Sequence, residues 1–136
     1  AKAVVQGAPE VGIFDLVDAI GERNAQKAIS SLTQVLMFKE TPPRILYLIA
    51  RQVRLILKAK ALKAQKMSTR EVAKALGVHE FVARKCLAQA ENFRLEELEK
   101  AFCAMVQADI GLKTSGGPDH VILERLTLYL CDGPRS

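Results

Sequence analysis

Thr41-Pro42-Pro43 opens a stretch of sequence that no glycine or proline interrupts before Gln65. Threonine can cap a helix, and prolines suit the first helical turn, where a missing N–H costs nothing. The run predicts a helix of roughly 23 residues, about 35 Å long at 1.5 Å per residue. With residues placed 100° apart, Ile45, Leu46, Ile49, Val53, Ile56 and Leu57 form one broad apolar face. Leu48, Leu55 and Leu62 repeat every seven residues on another side. Arg44, Arg51 and Lys58, each four residues before one of these leucines, flank that second stripe. A helix with two apolar stripes needs two partners. One is the core of the domain; the second is either another helix of the same chain or another subunit.

The rest of the 136 residues reads the same way. Nearly half are hydrophobic (49%), mostly Leu, Ala, Ile and Val, which argues against disorder. Ala and Leu favour helix, and apolar/polar alternation of the strand type is hard to find. Residues 1–12 read as a turn-punctuated linker, and the absence of an initial Met suggests a piece of a longer protein. A short helix follows over Ile13–Ile20 and stops at Gly21. A second starts near Asn24, with Ala28, Leu32, Val35 and Leu36 on one face. After the long third helix, Ser68 followed by Glu71 forms a capping box for a fourth, which ends at Gly77. The fifth spans about Glu80 to Asn92, with Phe81, Val82, Cys86, Leu87 and Ala90 inward. The sixth runs from Arg94-Leu95 to about Lys113, with Leu98, Phe102, Met105, Val106 and Ile110 inward. A turn at 114–118 leads to a last helix, about Asp119 to Leu130, presenting Val121, Leu123, Leu126 and Leu130. The expectation is an all-α, compact bundle of about six to seven helices over residues 13–136, with short connections.

Composition removes several function classes. Cys86, Cys103 and Cys131 are odd in number and far apart, with no Cys-x-x-Cys pair, and His79 and His120 are the only histidines. Neither a disulfide framework nor a zinc site fits, and a reducing, cytoplasmic setting does. No apolar run approaches the roughly 18 residues of a membrane span, and no leader pattern opens the chain. The net charge of +5 is concentrated: eleven basic and three acidic residues lie between 41 and 93. A basic middle third suits nucleic acid or an acidic protein surface.

The chemistry-bearing candidates each have a plainer reading. Thr69 to Leu87 resembles a helix-turn-helix, with Ala73 small, Gly77 at the turn, and Arg84 and Lys85 on the second helix. That makes a DNA-binding domain over residues 68–92 the alternative function. A structural corner needs the same pattern, however, and the exposed start of the second helix carries His79, Glu80 and Phe81 where base-reading groups belong. Asp15 with Asp18, and Glu96, Glu97 and Glu99, are spaced for acid–base work, yet acids in a first helical turn simply complement the helix dipole. No phosphate-binding loop, dinucleotide fingerprint or nucleophile elbow is present. No catalytic, cofactor-binding or metal-binding residue is assigned.

Four segments together resemble the C-terminal domain of the delta subunit of the bacterial DNA polymerase III clamp loader. They are Ile13-Phe14-Asp15-Leu16-Val17-Asp18-Ala19-Ile20-Gly21; Pro43-Arg44-Ile45-Leu46 leading to Ala50-Arg51-Gln52-Val53-Arg54-Leu55; Val72 to His79 with Phe81-Val82-Ala83-Arg84-Lys85; and Ala108 to Thr114 followed by Leu123-Glu124-Arg125-Leu126. The Ser115-Gly116-Gly117 turn departs from the pattern. The resemblance implies an oligomerisation collar that packs beside the gamma/tau and delta prime subunits. It also implies a sliding clamp bound by an N-terminal region outside this chain, ATP hydrolysis by neighbouring subunits, and a parent subunit of the DNA-directed DNA polymerase (nucleotidyltransferase) holoenzyme. Nonspecific DNA contact by the basic surface is a variant of this reading. The residues expected at the subunit interface are Arg44, Leu48, Arg51, Leu55, Lys58 and Leu62.

Overall fold

The computed structural model describes residues 9–114 and 117–132. Among them are seven α-helices and no strand: α1 Pro9–Gly21, α2 Ala25–Met37, α3 Pro42–Ala64, α4 Thr69–Leu76, α5 Glu80–Ala90, α6 Leu95–Lys113 and α7 Asp119–Asp132. The all-α expectation holds, with one shift of boundary. Helix α1 begins at Pro9, so residues 9–12 are helical and not linker. A proline lacks the N–H that would go unpaired at a first helical position, so it starts a helix as readily as it marks a turn. The remainder of the expected linker, 1–8, lies outside the described residues, as do 115 and 116 within the expected turn.

Side chains set several of the helix starts. Asn24 Oδ1 accepts from the Lys27 N–H at 3.1 Å and starts α2. Ser68 Oγ accepts from the Glu71 N–H at 3.1 Å, and Glu71 returns a carboxylate oxygen to the Ser68 N–H at 2.8 Å. Gly77 ends α4 with φ +71°, a conformation that favours a residue without Cβ. Two residues later His79 Nδ1 accepts from the Phe81 N–H at 3.0 Å and opens α5. At α3 the cap differs from expectation: Thr41 makes no side-chain capping bond. Prolines at the first two helical positions leave fewer amides for it to serve.

Helix α3 runs through the middle and packs against α1, α4, α5, α6 and α7. Its broad face joins the main core, where Ile45, Ile49, Val53 and Ile56 meet Leu16 and Ile20 of α1, Leu32 and Val35 of α2, Leu98 of α6, and Leu123 of α7. Two smaller clusters lie on its other stripe. Leu55 and Ala59 close over Cys86 of α5, and Leu62 packs beside Val72, Ala73 and Ala83 of the α4–α5 corner. The second partner of α3 is therefore inside this chain.

One residue joins both ends of the bundle. Arg23 follows α1 in the left-handed region, φ 58°, a conformation that costs a non-glycine residue about 1–2 kcal/mol. Its guanidinium donates to the Cys131 carbonyl (3.0 Å), the Asn92 carbonyl (2.9 Å) and Glu97 Oε1 (3.0 Å), and it lies 4.5 Å from the Phe93 ring centre. These contacts tie the end of α1 to the α5–α6 turn, α6 and α7 and offset the backbone strain. The Arg94 backbone N–H, donating to Glu97 at 2.8 Å, holds that carboxyl below its ordinary 4.5; the Arg23 guanidinium adds to this, while partial burial opposes it. A lowered carboxylate pKa gives stability that is present above the unfolded value and is lost as pH falls through the folded one. Arg23→Ala should lose about 2 kcal/mol in urea unfolding at pH 7. The advantage of wild type over Glu97→Gln should shrink as pH drops below 4.5; a gap independent of pH would remove Glu97 from this role.

Candidate interaction surface

The six residues expected at an interface do not share one surface. Leu55 is 7% exposed and belongs to the interior, and Leu62 is half-buried against the α4–α5 corner. Leu48 packs partly on the main core. A heptad of leucines is equally the pattern of an internal seam, and the corner supplies that seam here. The cations do face water. Arg44 is exposed and sits 3.5 Å from Glu40, one helical turn earlier. Arg51 and Lys58 are exposed, and so is Arg54, which the leucine-centred reading passed over. Among the described residues none of these last three side chains has a hydrogen bond or ion pair. Arg44, Tyr47, Arg51, Arg54 and Lys58 follow one another at three- and four-residue steps, so they form a single ridge. That spacing was visible in the sequence. Tyr47, at 59% exposure, stands within it.

A hollow lies on each side of the ridge. On one side α1, α3 and the α4–α5 corner enclose a cleft of about 500 Å³, floored by Ile13, Val17, Leu48 and Val82. Phe14 and Phe81 stand beside it in water, although Phe81 was expected to face inward. Phe81 is only the second residue of α5, beyond the reach of the core, and the ring instead lies 5.2 Å from Lys85 Nζ. On the other side a shallower groove of about 350 Å³ runs between α3 and α6, lined by Pro43, Ala50, Phe102 and Val106. Val106 and Ile110 were also expected inside and are exposed. Met105 and Ala108 take the core-facing side of α6, and an apolar stripe wider than its partner leaves its edge in solvent.

Polar side chains brace the cleft from below. Lys85 forms an ion pair with Asp18, and Gln89 Nε2 donates to the other Asp18 oxygen at 3.4 Å. Buried Gln52 donates to Gln89 Oε1 at 2.7 Å. One chain of contacts thus links α1, α5 and α3. Gly21 makes room for it, because a Cβ there would lie 2.1 Å from Gln89 Oε1. Cys86, at the bottom of the cleft, has its thiol pKa pushed up by burial, with the nearby Arg51 charge opposing. A buried, protonated thiol is a packing group and not a nucleophile.

The other candidates resolve locally. Asp18 is engaged as above, Glu97 serves Arg23 and Arg94, and His79 is a cap. Helices α4 and α5 do form a helix-turn-helix corner, but Lys85 is tied to Asp18, and Arg70 comes within 4.0 Å of Glu80. Of the cations proposed for base reading only Arg84 is exposed without a partner among the described residues. Among those residues no group of three or more His, Cys, Asp or Glu could hold a metal ion. Nor, among the described residues, is any helix long and apolar enough to cross a membrane. The surface has the means to recognise a partner by apolar burial and positive charge.

An all-helical domain with this architecture has known counterparts. Residues 10–130 match the family model for the DNA polymerase III delta subunit, C-terminal domain, and the chain belongs to that family. The DNA polymerase III subunit delta of Bacillus subtilis is 30% identical over 129 residues, which is 95% of this chain and 37% of the relative. A solved structure, the Bacillus subtilis DNA clamp loader delta protein YqeN, superimposes with a TM-score of 0.79 at 30% identity. The match covers 92% of this chain and 37% of that one, so the chain spans well under half of these relatives.

The burial pattern separates core from surface in a testable way. Leu55→Ala should cost about 2–4 kcal/mol in urea unfolding. Phe81→Ala should change stability by less than about 0.5 kcal/mol. A costly Phe81 change with a neutral Leu55 change would invert the assignment.

Proposed function

We propose that this domain is the oligomerisation collar of a delta subunit, holding it in a bacterial cytoplasmic clamp loader and positioning an N-terminal region that engages the sliding clamp. The neighbours implied are the gamma/tau and delta prime subunits. The domain has no active site of its own, and ATP hydrolysis and nucleotide polymerisation belong to other parts of the holoenzyme. Family membership supports the reading, and the observation that carries it is the α3 ridge. Three cations without partners among the described residues lie between two apolar hollows, on the outside of the helix that organises the core. Such a surface can bury apolar area at about 25 cal/mol per Å² while charges at the rim set register.

In this reading the exposed residues of the ridge make the contact. Arg51, Arg54 and Lys58 face outward, Arg44 lies at the end of the same ridge, and Leu48 touches the cleft. Leu55 and Leu62 act indirectly, by holding the corner against α3. The DNA-binding alternative gains nothing from the corner, whose exposed helix start offers an acid and an aromatic.

Full-length delta carrying Arg54→Glu and Lys58→Glu should keep its melting temperature and helical content. It should fail to co-elute with the other loader subunits in size-exclusion chromatography at low salt. Unimpaired co-elution would contradict the collar assignment of this ridge. Sequence-selective DNA binding that Arg84→Ala abolishes while assembly stays intact would favour the helix-turn-helix reading instead.

A further inference from the structure

Phe14 and Phe81 are 62% and 57% exposed and come from different helices, yet both line the same cleft. Scattered apolar residues on a surface are ordinary, but a contiguous apolar hollow with a charged rim marks an interaction site. The hollow is also held open. The Gln52–Gln89–Asp18–Lys85 chain joins the three helices that form its walls, so an occupant need not first order them. Its volume of about 500 Å³ suits one or two large side chains and not a whole helix.

Charge selects the kind of occupant. The charged groups lining the cleft are Asp18, Arg51 and Lys85. Asp18 and Lys85 satisfy each other, which leaves Arg51 as the cation without a partner among the described residues. Arg54 and Lys58 continue the positive charge along the exposed ridge. Duplex DNA has little to place in an apolar hollow, whereas an amphipathic helix presents apolar side chains and carboxylates on adjoining faces.

We propose that this cleft receives one or two large apolar side chains from an acidic amphipathic helix of a neighbouring clamp-loader subunit, with Arg51 meeting a carboxylate on that helix. The inference rests on the collar reading and names the anchoring site and partner chemistry within it. Phe14 and Phe81 close over the inserted side chain from either helix, and Arg51 fixes its register at the rim.

The test uses full-length delta and a loader reconstituted from purified subunits. Joint Phe14→Ala and Phe81→Ala replacement should weaken assembly roughly tenfold or more, with little dependence on salt. Arg51→Glu should weaken assembly at low salt, with an effect that fades as salt screens it. In a Cys103→Ser background, Phe81→Cys labelled with a benzophenone photocrosslinker should form its adduct on an Asp/Glu-rich helix of a neighbouring subunit. Unchanged assembly constants, or adducts on DNA or on a second delta chain, would overturn the proposal. If the Arg54/Lys58 reversal breaks assembly while the phenylalanine variant does not, the cleft assignment fails and the collar reading stands. If both variants assemble normally, the two fall together.

Discussion

A 23-residue helix with apolar residues on two sides cannot bury both against a single layer of neighbours. In α3 the broad core face and the Leu55 side lie roughly a third of a turn apart at 100° per residue. Helices α1, α6 and α7 cover the first. The α4–α5 corner folds back to cover the second, using Cys86 and Ala83 as small contacts over Leu55 and Leu62. With both faces occupied, the ridge from Arg44 to Lys58 remains for solvent, together with Ala61, Lys63 and Ala64 at the end of the helix. The position of nearly every other element follows from that division.

The corner illustrates how local chemistry and global packing agree. The Ser68–Glu71 capping box starts α4, Gly77 ends it in the left-handed region, and His79 starts α5 two residues later. These signals fix a sharp turn between two short helices. Short helices gain little stability alone and depend on tertiary burial. Burial of Leu55 and Leu62 provides it, so the corner resembles a DNA-reading motif for reasons of packing. Its second helix spends Lys85 on Asp18 and reaches through Gln89 to Gln52, binding the corner to α1 and α3.

Most of the architecture could be read from the chain because caps and breakers are local. Asn24, Pro42-Pro43, Ser68 and Gly77 located helix ends with little error. Pro9 misled because proline serves both turn and first helical position, and sequence alone does not choose. The interaction surface was less legible. The leucines at 48, 55 and 62 announce a seam without saying whether the partner is internal or another subunit. That depends on where α4 and α5 return in space. Phe81, Val106 and Ile110 fit an inward stripe by period, yet each lies at the edge of its helix face or near a helix start, where the core does not reach. Arg23 was invisible as a keystone, since its carbonyl partners at Asn92 and Cys131 are backbone groups. Arg54 was overlooked although its spacing from Tyr47, Arg51 and Lys58 placed it on the ridge.

The central claim is that the surface left over by α3 and its adjoining cleft is what meets another subunit. Hydroxyl-radical footprinting of full-length delta, free and within the assembled loader, tests it directly at the aromatic side chains. Phe14, Tyr47 and Phe81 are all more than half exposed in this domain and should label readily in free delta. The account predicts that all three become protected on assembly. Equal labelling of these rings in free and assembled delta would contradict it.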